Sequence, residues 1–327
     1  MSEAVAVAVV GPVARAKVDV ALAYDQRADA AAVAVLRRLL EVIRENVDGS
    51  VAGEDDEYLH QLRIAVRRSR TVQRQLAGVF GSIELPGFRS DFRWLQQATG
   101  PARDLDVYVG ELDALAELLP DRLRPNLAPL RPVLAHRRLQ ARAEMTRALR
   151  SVRTADLLED WDRLLESLVE LPLDDRPLAA VPIGEAAGKR IRKVYGHIVH
   201  MGRGIDTSSP ATDYHELRKK AKELRYLLEL FGVKLFDEQH VAPMVKALKG
   251  LQDVLGRHQD REVQKAMLHS AAGEVATLPG GAAACMAMGV LVDRLERDEG
   301  EAREDFGERF GTFASHDQRR LVKHTFG

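Results

Sequence analysis

Apolar residues recur along most of this chain with the period of an α-helix. Between the breaks they return every three or four positions, which gives each segment one apolar face. These segments cover residues 32–46, 58–80, 92–99, 104–119, 134–152 and 155–171, and then 183–201, 213–231, 242–256, 260–272 and about 282–310. Pro, Gly and small polar residues fill the breaks. The AVAVAVV run at 4–10 fits a strand or an irregular tail, and the rest of the pattern predicts an all-α protein.

The second half of the chain resembles the first. HQLRIAVRRSR (60–70) aligns with HELRKKAKELR (215–225), and LRRL (36–39) aligns with IRKV (191–194) at the same offset. Downstream, RWLQQATGPARD aligns with KGLQDVLGRHQD after one inserted residue. A period this long predicts a duplicated subdomain and not a solenoid of short repeats. We therefore divide the chain into an N-terminal segment (1–27), a first helical half (28–172), a Pro-rich linker (173–182), a second helical half (183–314) and a tail (315–327).

Each half carries a basic stripe on one helix. The first contains His60, Arg63, Arg67, Arg70 and Arg74 within about 80° of the helix circumference, and the second contains His215, Arg218, Lys219, Lys222 and Arg225. Leu62 and Leu217 fall on the opposite, apolar sides.

An ordinary solvated face is the simplest interpretation of such a stripe, but three features weaken it. The first stripe contains no carboxylate, so its like charges repel one turn apart. The arrangement occurs twice with histidine leading. Arginine dominates the first stripe, and its planar guanidinium grips phosphate oxygens in pairs. The pattern predicts an anion-binding surface.

Composition requires this binding to be local. Lys and Arg total 48 against 49 Asp and Glu, so no overall positive charge attracts polyanions.

The 327 residues, 46% of them hydrophobic, suffice for a large core. Cys285 is the only cysteine, which excludes an intrachain disulfide and a cysteine-based zinc site. No apolar run approaches the ~18 residues of a membrane span, and the start lacks a signal peptide's basic region, so we expect a cytoplasmic protein.

The motifs HQLRIAVRRSR, RWLQQATGPARDLDV, HELRKKAKELRYLLEL and LKGLQDVLGRHQD resemble those of the CHAD family, the conserved-histidine α-helical domain. The resemblance covers roughly residues 28–310. It implies two similar helical bundles related by pseudo-twofold symmetry, with basic helices facing a central groove or pore that binds inorganic polyphosphate. By the same resemblance, the binding residues would be His60, Arg63, Arg67, Arg70, His215, Arg218, Lys219, Lys222 and Arg225, with a second tier of Arg37, Arg38, Arg93, Arg192, Lys193 and Lys249.

At two aligned positions the first and second halves carry side chains of different charge. Ile64 stands where the second copy has Lys219, and Arg68 stands where it has Glu223, so the halves contribute unequal charge. Many relatives also carry a triphosphate-tunnel domain, whose ExExK signature is absent here. The resemblance therefore implies a binding module, without catalytic residues, cofactor or metal.

A metal-binding helical domain or metal-dependent phosphohydrolase is the alternative of a different class. His197 and His200 have a spacing that metal sites use, and Asp104 and Asp260 are the candidate acidic ligands. Each aspartate follows a glycine expected to end a helix, so we interpret both as N-caps or as partners that orient Arg103 and its neighbours.

Nucleic acid is the other candidate polyanion. Base stacking needs exposed aromatic rings, yet aromatics are only 5% of the chain, and Trp94, Trp161 and Tyr226 lie beside apolar positions. We therefore expect polyphosphate as the partner, with neither membrane nor nucleic acid. Granule association, storage control and scaffolding stay open as cellular roles, as does the oligomeric state.

Overall fold

The computed structural model describes residues 11–82 and 85–327, which form helices and no β-strand. The helices are α1 (Ala28–Ala52), α2 (Asp56–Gln75), α3 (Leu85–Ala98), α4 (Gly100–Glu117), α5 (Leu130–Leu149), α6 (Val152–Ser167), α7 (Ile183–Gly202), α8 (Ala211–Leu227), α9 (Val233–Leu235), α10 (Glu238–Ala276), α11 (Gly281–Phe313) and α12 (His316–Thr325). A π-helical turn, Leu228–Gly232, continues α8. The predicted all-α class is confirmed, whereas the 4–10 run lies outside the described residues.

The helices group into two compact units. Among the described residues, unit 1 contains residues 11–21, 27–82, 85–106 and 138–181, and unit 2 contains residues 22–26, 107–137 and 182–327. Helix α2, with the first basic stripe, belongs to unit 1, and α8, with the second, belongs to unit 2. The predicted domain boundaries and the twofold relation between halves stay predictions.

Unit 1 is built on the pairing of α1 with α2. Leu36 and Leu39 of α1 and Leu62 and Val66 of α2 are completely buried, which places the apolar face of α2 where the helical period predicts it. Trp161 of α6 is also fully buried, with the rings of Phe80, Phe88 and Phe92 4.8 to 5.8 Å away. The basic stripe is thus carried by a helix whose other sides are fixed by packing.

The first turn of α2 is held by a cap and an ion-pair network. Asp55 caps the helix by accepting a 2.8 Å hydrogen bond from the Glu57 amide. Asp56 pairs with Arg138 at 2.9 Å and with Arg142. Both arginines also pair with the buried Asp106, at 2.6 and 3.0 Å. Acidic residues at a helix N-terminus are favoured by the dipole, and this network ties α2 to α4 and α5.

The N-terminal segment 11–21 is irregular and packs on α1 and α2. The Tyr58 hydroxyl donates to the Gly11 carbonyl at 2.6 Å, and the side-chain amide of Asn46 donates to the Ala14 carbonyl at 2.7 Å. The Ala16 amide donates to Gln61 Oε1 at 2.7 Å. The described part of this segment is therefore neither a strand nor a loose tail.

Unit 2 is dominated by α10 and α11, two long helices packed side by side. The sequence predicted two helices over 242–272 with a break at Gly256, and this prediction is wrong, because α10 is a single helix of 39 residues. Leu251, Leu255 and His258 are all buried, so the buried face continues through the glycine. A glycine inside a helix costs only about 1 kcal/mol relative to alanine, which this continuous packing offsets.

The start of α8 is fixed by a buried polar cluster. Glu299 of α11 accepts hydrogen bonds from Arg303, at 2.9 Å from its Nη2, and from Lys265 of α10. Arg303 also donates to the Ser209 carbonyl at 2.7 Å, just before α8. These cations lower the pKa of Glu299 to about 2 against the opposing effect of burial. The cluster therefore holds the entry into α8 through charged hydrogen bonds.

No helix in the described ranges is both long and apolar enough to cross a membrane.

Candidate functional site

Unit 1 gathers seven basic side chains from three helices. We call this set the α2 cluster: His60, Arg63, Arg67, Arg70 and Arg74 from α2, Arg93 from α3 and Arg103 from α4. Arg103, Arg67 and Arg63 all act electrostatically on His60. Arg74, Arg93 and Arg67 act on Arg70. The stripe predicted on one helix is thus widened by cations from two neighbouring helices.

The α2 cluster contains cations without acidic partners. Within residues 11–82 and 85–327, Arg67, Arg70, Arg93 and Arg103 form no ion pair with an Asp or Glu. Burial lowers the pKa of Arg70 below its ordinary value, and Arg74, Arg93 and Arg67 lower it further. Charged guanidiniums are therefore held together in the fold at an electrostatic cost, which a bound polyanion would relieve.

Arg63 departs from the predicted exposed face. It is only 6% exposed, and its Nη1 donates to the Gln96 carbonyl at 2.8 Å and to Thr99 Oγ1 at 2.9 Å. Burial, followed by the charge of Arg67, lowers its pKa to about 10, although Asp104 opposes the shift. Arg63 thus links α2 to the end of α3 beneath the cluster. The expectation that the whole stripe faces outward is wrong at this residue.

His60 lies at the edge of the cluster and is half-buried. Burial lowers its pKa, and the charges of Arg103, Arg67 and Arg63 lower it further, whereas Glu57 raises it. The imidazole is consequently held in its neutral form more strongly than an exposed histidine. A phosphate group nearby would reverse this effect by favouring the protonated ring.

The α8 stripe, consisting of His215, Arg218, Lys219, Lys222 and Arg225, has a different electrostatic environment. Arg225 Nε donates to Glu229 at 2.6 Å, and this hydrogen bond raises the pKa of Arg225. Lys219 pairs with Glu216, and Arg218 Nη2 lies 3.5 Å from Asp260. His215 Nδ1 is hydrogen-bonded to Gln259 Oε1. Carboxylates therefore compensate much of this stripe's charge.

The residues predicted as a second tier also differ in whether they lie near acidic side chains. Arg93 joins the α2 cluster, whereas Arg38 pairs with Glu41 at 2.8 Å and Arg37 lies 3.9 Å from Glu166. Arg192 and Lys193 of α7 and Lys249 of α10 are exposed.

Sequence reasoning did not place Arg103 in the site. Its helix, α4, begins at Gly100, with only Thr99 between it and the end of α3, and this short connection brings the first turn of α4 close to α2. The Gly-Pro pair at 100–101 was a signal for such a connection, because proline is favoured in the first turn of a helix.

The candidate acidic ligands do not cap helices. Asp104 lies inside α4 and Asp260 lies inside α10, so the N-cap interpretation is wrong for both. Their second interpretation, as partners of arginines, fits better, because Asp104 acts on Arg63 and Asp260 pairs with Arg218. His197 and His200 are exposed on α7. Across the described part of the chain, no three His, Cys, Asp or Glu side chains are grouped as a metal site requires.

Comparisons with known proteins identify the family. The CHAD domain family model matches residues 34–269. Two uncharacterized proteins of Mycobacterium tuberculosis, from strains CDC 1551 and H37Rv, are each 31% identical over 239 residues, covering 69% of this chain and 44% of their own length. This chain thus spans less than half the length of these curated relatives.

Solved structures show the same fold. The crystal structure of the CHAD domain from the plant Ricinus communis superposes with a TM-score of 0.75 at 24% identity, covering 91% of this chain and 96% of that one. PptA from Streptomyces chartreusis gives a TM-score of 0.61 at 20% identity, covering 87% and 99%. Together with the family match, these similarities show that the chain belongs to the CHAD domain family.

Proposed function

We propose that this protein is a non-catalytic receptor for inorganic polyphosphate, bound through the basic residues of α2 and α8. Membership of the CHAD family supports the ligand class, since polyphosphate binding is the property associated with this domain. The observation that carries the proposal is the α2 cluster, where Arg67, Arg70, Arg93 and Arg103 lie together without an acidic partner among the described residues.

The shape of the cluster suits a linear polyanion. From His60 to Arg74 the helix extends about 21 Å at 1.5 Å per residue. Polyphosphate carries about one charge per phosphate along a flexible line, so successive phosphates can reach successive turns of α2. Guanidiniums add paired hydrogen bonds to the charge attraction.

The aromatic residues favour polyphosphate over nucleic acid. Trp161 is fully buried, and Trp94 is half-buried with the Arg153 guanidinium 4.2 Å from its ring centroid. Tyr226 is also half-buried. Sequence-independent binding of single strands relies on rings that stack on bases, and these rings are already in contact with the protein. RNA would therefore bind only through its phosphates.

The chemistry of the cluster supports binding without hydrolysis. Its side chains are guanidiniums and an imidazole, which donate hydrogen bonds to phosphate oxygens. A metal-dependent phosphohydrolase uses carboxylate and histidine ligands to hold its ions. The proposed receptor needs no metal or cofactor. It acts in the cytoplasm, where the lone Cys285 stays reduced, and granule association, storage control or scaffolding would follow from binding.

A titration in the presence of a chelator tests the proposal. We expect long-chain polyphosphate to bind more tightly than single-stranded RNA of equal charge at the same salt concentration, and the polymer to be recovered intact afterwards. Steady release of orthophosphate that depends on a divalent ion would contradict a non-catalytic receptor. Equal affinity for the RNA would contradict the ligand assignment.

A further inference from the structure

The two aligned basic helices differ in which charges surround them. Arg67 aligns with Lys222 and Arg70 aligns with Arg225, so the sequence presents them as equivalents. In unit 1, the charges of Arg74, Arg93 and Arg67 act on Arg70, which forms no ion pair with an acidic side chain among the described residues. In unit 2, Arg225 is held by Glu229 at 2.6 Å.

The difference extends along both helices. Lys219 pairs with Glu216 one turn earlier on α8. Arg218 lies 3.5 Å from Asp260, whereas Asp104, which aligns with Asp260, acts on Arg63 without forming an ion pair. The corresponding stretch of α2, residues 60–74, contains no acidic side chain. Arg103 of α4 adds a further cation to the α2 cluster, whereas Gln259, which aligns with Arg103, is neutral and bonded to His215.

We infer that the α2 cluster is the primary polyphosphate site and that Glu216, Glu229 and Asp260 act as internal competitors, which keep the α8 stripe a secondary, weaker site. This inference rests on the proposed function and ranks the two helices within it. A phosphate that binds Arg225 must displace the Glu229 carboxylate or share the Arg225 guanidinium with it. A phosphate at Arg67 or Arg70 meets no such competitor among the described residues.

The competing pairs lie where a ligand can reach them. The side chains of Arg225 and Glu229 are 56% and 29% exposed, and those of Lys219 and Glu216 are 54% and 55% exposed. Exposed ion pairs of this kind contribute little to stability, so their carboxylates can be neutralised without unfolding the protein. Each neutralised carboxylate leaves one more cation able to release a counterion from the polymer, which steepens the dependence of affinity on salt.

The first arm of the test compares how much affinity is lost when aligned basic residues are replaced in α2 and in α8. We expect R67Q/R70Q to weaken binding of long-chain polyphosphate at least about tenfold more than K222Q/R225Q, which removes the aligned pair from α8. Because Arg67 and Arg70 are half-buried, thermal melting checks that the variant folds. The exposed aligned pair R93Q and K249Q repeats the comparison with less risk to folding, and R93Q should lose more affinity.

The second arm tests whether removing the competing carboxylates increases the affinity for polyphosphate. E216Q/E229Q should raise affinity roughly three- to tenfold and steepen the salt dependence, because it releases Lys219 and Arg225. E296Q/E301Q makes the same change in net charge at two exposed glutamates of α11 that form no ion pair within the described residues, and should change affinity less than about twofold.

The outcomes separate this inference from the proposed function. Equal losses from the α2 and α8 variants, or no more gain from E216Q/E229Q than from E296Q/E301Q, would overturn the ranking while leaving polyphosphate binding in place. Failure of the unmodified protein to bind polyphosphate would overturn the proposed function and the ranking with it.

Discussion

At the scale of single residues, His60 makes the affinity of the α2 cluster for polyphosphate depend on pH. Burial and the charges of Arg103, Arg67 and Arg63 lower its pKa in the free protein. Bound phosphate favours the protonated ring and raises that pKa. Affinity therefore increases as pH falls through the pKa of the complex, and the increase ends below the lowered pKa of the free protein.

We expect affinity for polyphosphate to increase about three- to tenfold as pH falls from about 7.5 to about 5.5, since one pKa unit corresponds to a factor of ten. H60Q should lose this part of the pH dependence. H269Q, which changes an exposed histidine on α10, should retain it. Dissociation constants measured at constant ionic strength for the three proteins decide the point, and an identical pH profile for H60Q would exclude a role for His60.

Arg63 shows what a helical projection cannot reveal. The projection places Arg63 in the middle of the stripe, but burial depends on what packs against it. The carbonyl of Gln96 and the hydroxyl of Thr99, at the end of α3, receive its hydrogen bonds. Its aligned partner, Arg218, instead pairs with Asp260. The two aligned arginines therefore have different partners, which the alignment of the two halves did not predict.

At the scale of elements, the apolar and basic faces of the two helices are the features best specified by sequence. Leu62 of α2 and Leu217 of α8 are both completely buried, as the 3.6-residue period predicts. Burial of a leucine contributes through the area removed from water and through close packing. The basic faces can therefore be altered for binding experiments, apart from Arg63, without removing the core.

Leu217→Ala should lower the free energy of unfolding by roughly 2–4 kcal/mol, because it leaves a cavity behind the stripe. Lys219→Ala on the exposed side of the same helix should change it by less than about 1 kcal/mol. Chemical denaturation of the two variants measures both effects. A Leu217→Ala variant as stable as the unmodified protein would mean that this face of α8 contributes little to the core.

Helix lengths were less predictable than helix faces. Gly256 was expected to end a helix, because glycine is common at helix C-termini. In α10 the buried positions continue past it to His258, so tertiary packing overrides the local preference. The same error placed Asp260 at a helix start, whereas Asp104 was placed at one because α4 begins four residues earlier than expected, at Gly100. Asp260 is instead a mid-helix side chain that contacts Arg218.

At the scale of the whole molecule, a net charge of −1 conceals a strong local segregation of charge. The all-α class, the family and the two basic helices could be predicted from the sequence, because they depend on periodicity and on short motifs. The unequal compensation of the helices could be predicted only in part. Ile64 and Arg68 already indicated unequal charge, but Asp260 and Arg103 come from other helices and required the fold.

The most direct test of polyphosphate binding is a salt-controlled series of dissociation constants for orthophosphate, pyrophosphate and polyphosphates of increasing length. If a row of cations binds a linear polymer, affinity should increase steeply with chain length, because each further contact is made within one complex. For the long chains, affinity should also fall steeply with salt as several counterions are released on binding. Comparable affinity for pyrophosphate and long-chain polyphosphate, with a shallow dependence on salt, would contradict the account.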